Sequence, residues 1–225
     1  MRGFRLLAVL PTLVATVLVG APAFANQGKS EKAFVPGGRI RLDLAAAEYT
    51  IKAGQDDRIV VSWTTEDDPD VRVRVSIQTD IARKTATVTT GGAHSVRAVI
   101  EVPALTDLHI DITAGNLRVQ GITGSKDVGS WAGNIDIDVP KPDDYRLMDL
   151  AVKAGDIKAR DLGVKMSGLF RSFRRSGPGK YTLRVRLTAG NLRLLPAELP
   201  SVSGPAEPPR APTNPRHGSD GRERA

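Results

Sequence analysis

Apolar and polar residues alternate in short blocks along most of this chain, and the alternation is strictest around a recurring tripeptide. Four segments align without gaps: Ala114-Gly115-Asn116-Leu117-Arg118-Val119, Ala132-Gly133-Asn134-Ile135-Asp136-Ile137, Ala154-Gly155-Asp156-Ile157-Lys158-Ala159 and Ala189-Gly190-Asn191-Leu192-Arg193-Leu194. A degenerate fifth copy, Ala46-Ala47-Glu48-Tyr49-Thr50-Ile51, lacks the glycine.

The alignment extends in both directions. Two residues before each turn stand Leu44, Ile112, Ser130, Val152 and Leu187, and four before stand Leu42, Ile110, Val128, Leu150 and Val185. Three residues after the first turn residue come Tyr49, Leu117, Ile135, Ile157 and Leu192; five after come Ile51, Val119, Ile137, Ala159 and Leu194. A side chain every second residue on one face is the period of a strand, so each copy predicts strand, tight turn, strand. Upstream, Val60–Thr64, Val71–Ile77, Thr85–Thr89 and Val96–Val102 alternate in the same way between polar turns such as Glu66-Asp67-Asp68-Pro69-Asp70 and Gly91-Gly92. No long helical period occurs. The expected fold is all-β: a β-solenoid-like stack of two-strand rungs preceded by an antiparallel meander.

The turn residues fit that expectation. Gly115, Gly133, Gly155 and Gly190, with Asn116, Asn134, Asp156 and Asn191, are types that tolerate positive φ. With strands ~4.8 Å apart, equivalent residues of stacked copies form columns. The apolar columns make a shared interior, and the Asn/Asp column is placed to hydrogen-bond along the stack. An outward column runs Arg118, Asp136, Lys158, Arg193; stacking in chain order sets unlike charges side by side in the first three, a solvated, charge-matched face. The spacing from Ala154 to Ala189 is 35 residues, against 18 and 22 for the two preceding intervals, so Lys165–Lys180 reads as an insertion.

Composition separates the ends from the middle. Arg2 and Arg5 precede an apolar run, Leu6 to Val19, and Ala23-Phe24-Ala25 is a small-x-small site, so residues 1–25 read as a secretory signal peptide cut before Asn26. The run is short for a membrane span of ~20 residues. Residues 26–33 read as a short linker and 34–195 as the repeat domain. Residues 196–225 hold seven Pro and no aromatic residue, the composition of a disordered tail without a hydrophobic anchor. There is no Cys, hence no disulfide framework, thiol nucleophile or lipoprotein acylation site. The net charge is +7, and removing Arg2 and Arg5 leaves +5, too slight an excess among many acids to indicate nucleic-acid binding. The expected address is periplasmic, secreted or cell-surface.

The repeat of strand, Ala-Gly-Asn/Asp, Ile/Leu-x-Val and Gly turn resembles the bacterial putative-adhesin domain family of unknown function. The resemblance covers Phe34 to Pro196 and includes Ser167-Gly168-Leu169-Phe170-Arg171-Ser172-Phe173 with Gly177-Pro178-Gly179-Lys180-Tyr181, similar to the final loop and rung of such domains. It implies stacked β rungs in an exported or envelope protein. It supplies no catalytic residues, and the first rung, Ala46-Ala47-Glu48, departs from the pattern.

Candidate chemistry is sparse. His94, His109 and His217 are far apart in sequence, with His109 on the outward parity of its strand. No Gly-x-Ser-x-Gly elbow precedes a helix. Asp136 and Asp138 share a strand face, which is the enzyme alternative: a lyase- or glycosidase-like pair of carboxylates. Arg118 and Lys158, however, offer them a structural role. Asp67, Asp68 and Asp70 lack calcium-loop spacing. Two segments could bind a surface. Phe170, Phe173, Arg171, Arg174 and Arg175 combine aromatic and cationic groups suited to an anionic surface or acidic polysaccharide, or else cap the open end of the stack. Trp131 lies on the outward parity of its strand, where an indole can stack on a sugar ring. The expectation is a non-catalytic binding or scaffold protein needing no cofactor or metal. Its partners would be an anionic surface, a polysaccharide or another envelope protein, with no nucleic acid and no membrane span after signal cleavage.

Overall fold

A computed structural model describes residues 26–65, 73–92 and 96–196. The signal-like segment, the acidic turn at 66–70, His94, His217 and the tail beyond Pro196 lie outside the described residues.

Each long strand crosses a corner at its Ala-Gly-Asn/Asp. In β8 (Thr106–Gln120), β9 (Lys126–Asp138), β10 (Tyr145–Ala159) and β12 (Tyr181–Leu195) the buried side chains switch parity at that tripeptide. Each strand therefore presents a buried face on both arms of the corner, the parity switching once between them. All twenty column positions named above are buried, and residues from both arms join one apolar core. The degenerate copy is split into two strands, β2 (Gly38–Leu44) and β3 (Ala47–Ala53). These pair in parallel with the first and second halves of β8, bringing Ala47 opposite Gly115.

The remaining strands are β1 (Asn26–Ala33), β4 (Arg58–Thr65), β5 (Arg74–Asp80), β6 (Thr85–Gly91), β7 (Val96–Val102) and β11 (Val164–Ser176). All belong to one twelve-stranded sheet ordered β1-β4-β7-β3-β8-β9-β12-β10-β11, with β2 beside β6 and β8, and β5 beside β6. Among the described residues there is no α-helix, and no helix long and apolar enough to cross a membrane.

Four expectations change. Residues 26–33 are not a linker but β1, paired antiparallel with β4. The upstream strands do not form a simple meander: β5 and β6 are a hairpin on one arm, while β4 joins β1 and β7 on the other. The insertion is not a loop but β11, an edge strand antiparallel to β10. Finally, the copies do not stack in chain order, because β12 lies between β9 and β10.

The corner column is a backbone contact. Gly115, Gly133, Gly190 and Gly155 have φ between +113° and +138°, and a Cβ on any of them would fall on the carbonyl oxygen of the neighbouring strand's turn residue. The asparagines, by contrast, do not take positive φ. They form a ladder instead: Asn134 Nδ2 donates to Asn116 Oδ1 (2.9 Å) and Asn191 Nδ2 to Asn134 Oδ1 (2.8 Å). Asp156 continues this column, and hydrogen bonds from Ser167 and then Lys158 hold its carboxyl below the usual carboxylate range. Asn134→Ala removes both ladder bonds at an exposed position, so urea unfolding should show a loss of about 1 kcal/mol.

Candidate functional site

The in-register copies place a row of outward side chains just before the corner. Thr113, Trp131, Thr188, Lys153 and Phe170 each fall between flanking residue pairs of adjacent strands, so they follow one another across the sheet. Trp131 is 70% exposed and Phe170 80%. Three strand spacings separate them, ~14 Å.

Trp131 borders a shallow trough of about 560 Å³ on the outer face of the first arm. Gly129 and Thr113 lie in it beside the indole, and Asp43, Asp111 and Thr89 contribute polar groups. Arg41 orders the two carboxylates, its Nε donating to Asp43 (2.8 Å) and its guanidinium to Asp111 (2.9 Å). A flat aromatic face beside fixed hydrogen-bonding groups can take a ring that is apolar on one side and hydroxylated at its rim.

The Phe/Arg segment is arranged differently from expectation. Phe173 packs against the core while Leu169, 65% exposed, and Phe170 stand outside it. Phe170 has φ +52°, an outlier for a bulky residue. Arg174 pairs with Asp149 (3.2 Å) and Arg175 with Asp143 (2.7 Å), and Arg171 Nε donates to the Ser167 carbonyl (2.8 Å). Each of the three arginines thus has a partner within the protein, which leaves less charge for an external anion.

Asp136 and Asp138 do not face a cleft formed by the trough or by the neighbouring recess described below, both of which lie on the other arm. Asp136 stands between Arg118 and Arg193, not Lys158, because of the changed strand order. Lys158 pairs with Asp156 instead (3.2 Å). Asp138 is buried. His109 does point outward, with Nε2 3.1 Å from Asp111 and Nδ1 3.6 Å from Asp127. No group of three or more metal-ligating side chains occurs among the described residues. Trp63 is half-buried against the core.

Two features were not legible in sequence. One is Lys126, 1% exposed in an inward column between Leu108 and Leu183. Its Nζ donates to the Ile122 carbonyl (2.8 Å) and the Tyr145 hydroxyl (2.7 Å). The other is a recess of about 530 Å³ bordered by Arg39, Arg41, Arg146 and Arg184. Only the outward parity of Arg39, Arg41 and Arg184 hinted at it.

No protein-family model matches the chain, and no curated protein matches it. Among solved structures, it resembles a putative cell adhesion protein from Clostridium sporogenes, at 12% identity and TM-score 0.50, over 75% of this chain and 99% of that one. A putative adhesin from Parabacteroides distasonis overlaps at 8% identity and TM-score 0.22, over 76% of this chain and 70% of that one, too loosely to inform the architecture. The Clostridium likeness is one of fold.

Proposed function

We propose that this chain is an exported, non-catalytic binding module that holds a glycan against Trp131. The observation that carries it is a largely exposed indole standing beside a trough with ordered carboxylates and hydroxyls. Trp is a large apolar surface to leave in water, and nothing in the fold requires it there. The signal-like first 25 residues support export, and the name of the Clostridium structure is consistent with a surface-binding role. The parallel, in-register copies support a β-solenoid-like description of this part of the sheet. The register that sets Asp136 between Arg118 and Arg193 favours a structural role for that residue over acid–base chemistry. On β11, Lys165 and Arg171, neither of which forms an ion pair among the described residues, put positive charge along a free sheet edge, which opposes edge-to-edge association with a second copy.

A glycan array probed with the full chain tests this reading. Trp131→Ala should lower affinity for any glycan retained by the wild type at least tenfold while leaving the melting temperature unchanged. Unchanged binding would remove the indole from the site. Release of cleaved sugar would overturn the non-catalytic assignment.

A further inference from the structure

We infer that the glycan is acidic, and that its anionic groups are taken by the arginine recess next to the Trp131 trough. The polymer class rests on the glycan reading above; the anion site rests on separate observations. Arg39 and Arg146 are exposed on opposite lips of the recess, and among the described residues neither makes an ion pair. Arg146 Nε donates only to the Thr182 hydroxyl (3.2 Å). Arg184 borders the same recess with its Nε buried and without a hydrogen-bond partner.

The carboxylates there are already engaged. Asp107 accepts the Ser125 backbone N–H (2.7 Å). Asp127 is shared among His109 (3.6 Å), Arg184 (4.0 Å) and Arg186 (3.9 Å). A surplus of guanidinium donors over free acceptors, in a concave surface, suits a carboxylate or sulfate, which guanidinium binds in a fork.

The two depressions form one track. Arg41 borders the recess, and its partners Asp43 and Asp111 border the trough, so this ion-paired group is their common wall. From Ser125, just before β9, to Trp131 the track runs ~20 Å at the rise of a strand. That length requires an extended polymer rather than a single sugar: one ring on the indole, and charged units further along at the arginines.

The test uses the full chain with two acidic polysaccharides, polygalacturonate and dextran sulfate, and their neutral counterparts, carboxyl-reduced polygalacturonate and dextran. At least one acidic polymer should bind at least tenfold tighter than its neutral counterpart, and which one does so identifies the anion. The double variant Arg39→Ser/Arg146→Ser should lose that preference, with an unchanged melting temperature and unchanged binding of the neutral polymer. Equal binding of acidic and neutral polymers overturns the inference and leaves the glycan reading standing. A preference that survives the double variant also overturns it. If Trp131→Ala affects neither polymer while the double variant abolishes acidic binding, the glycan platform fails and the anion recess stands.

Discussion

Gly133→Ala is expected to leave no stably folded protein. The added methyl would fall on the carbonyl oxygen of Gly115, on the adjacent strand. Neither backbone can yield, because β9 is paired on both sides, with β8 and with β12. The residue would also have to hold φ +131°, a conformation costing about 1–3 kcal/mol for an L side chain. Together these effects should exceed about 4 kcal/mol, most of the stability of a domain at the low end of the usual range of about 5–15 kcal/mol. Gly163→Ala is the control. Gly163 has φ +66° but open space around its Cβ position, so it should lose only about 1 kcal/mol. Urea unfolding followed by far-ultraviolet circular dichroism separates the two. A Gly133→Ala midpoint equal to that of the control would show that the corner contact is not what fixes the turn.

The second large effect is a rise in stability with pH. Burial pushes the Lys126 ammonium down from 10.5 to about 8, against the opposing pull of Asp107 and Asp138. Below about pH 8 both folded and unfolded chains carry this proton. Between about 8 and 10.5 the unfolded chain binds it and the folded chain does not, so stability increases with pH across that window. The full change is about 3 kcal/mol. Tyr145 limits it from above: burial foremost, then Asp144 and Tyr181, raises its hydroxyl in the fold. The unfolded chain therefore loses that proton first, and stability declines above about pH 10. Unfolding free energies should climb from about pH 8 to a maximum between about 9 and 10. In Lys126→Met the climb should vanish, whatever the net change at neutral pH from stranding the Tyr145 hydroxyl and the Ile122 carbonyl. An equal slope in the two proteins would mean that Lys126 is not the titrating group.

Lys126 shows where sequence patterning stops being informative. Its position, two residues before Val128 in an inward register, belongs to the apolar parity, yet a lysine at a strand end ordinarily reads as solvated. Only the closure of Tyr145 and the 122–124 turn over it makes the position a polar pocket. Trp131 is the opposite case. Its outward parity was legible because alternation fixes the face of every residue on a strand, whereas the trough beside it is assembled from β6, β2, β8 and β9.

The sequence by itself determined which face most strand residues present, where the corners fall and which apolar residues fill the core. Those properties are local: alternation sets the face, and glycine alone accepts the corner conformation at little cost. The order of the copies was decided only in the tertiary structure. Every copy offers the same ladder of hydrogen bonds, so the pattern cannot choose its neighbour. The choice is made by the connection. The hairpin through Arg160–Leu162 and Gly163 gives β11 one edge of β10. The short return at Gly177–Lys180 then crosses the start of β10, with Gly177 N–H on the Arg146 carbonyl (3.1 Å) and Gly179 against Asp144. This delivers β12 to the other edge of β10. The same step moved Arg184 next to Asp127, brought Arg193 beside Asp136, and placed Phe170 in the row of Trp131.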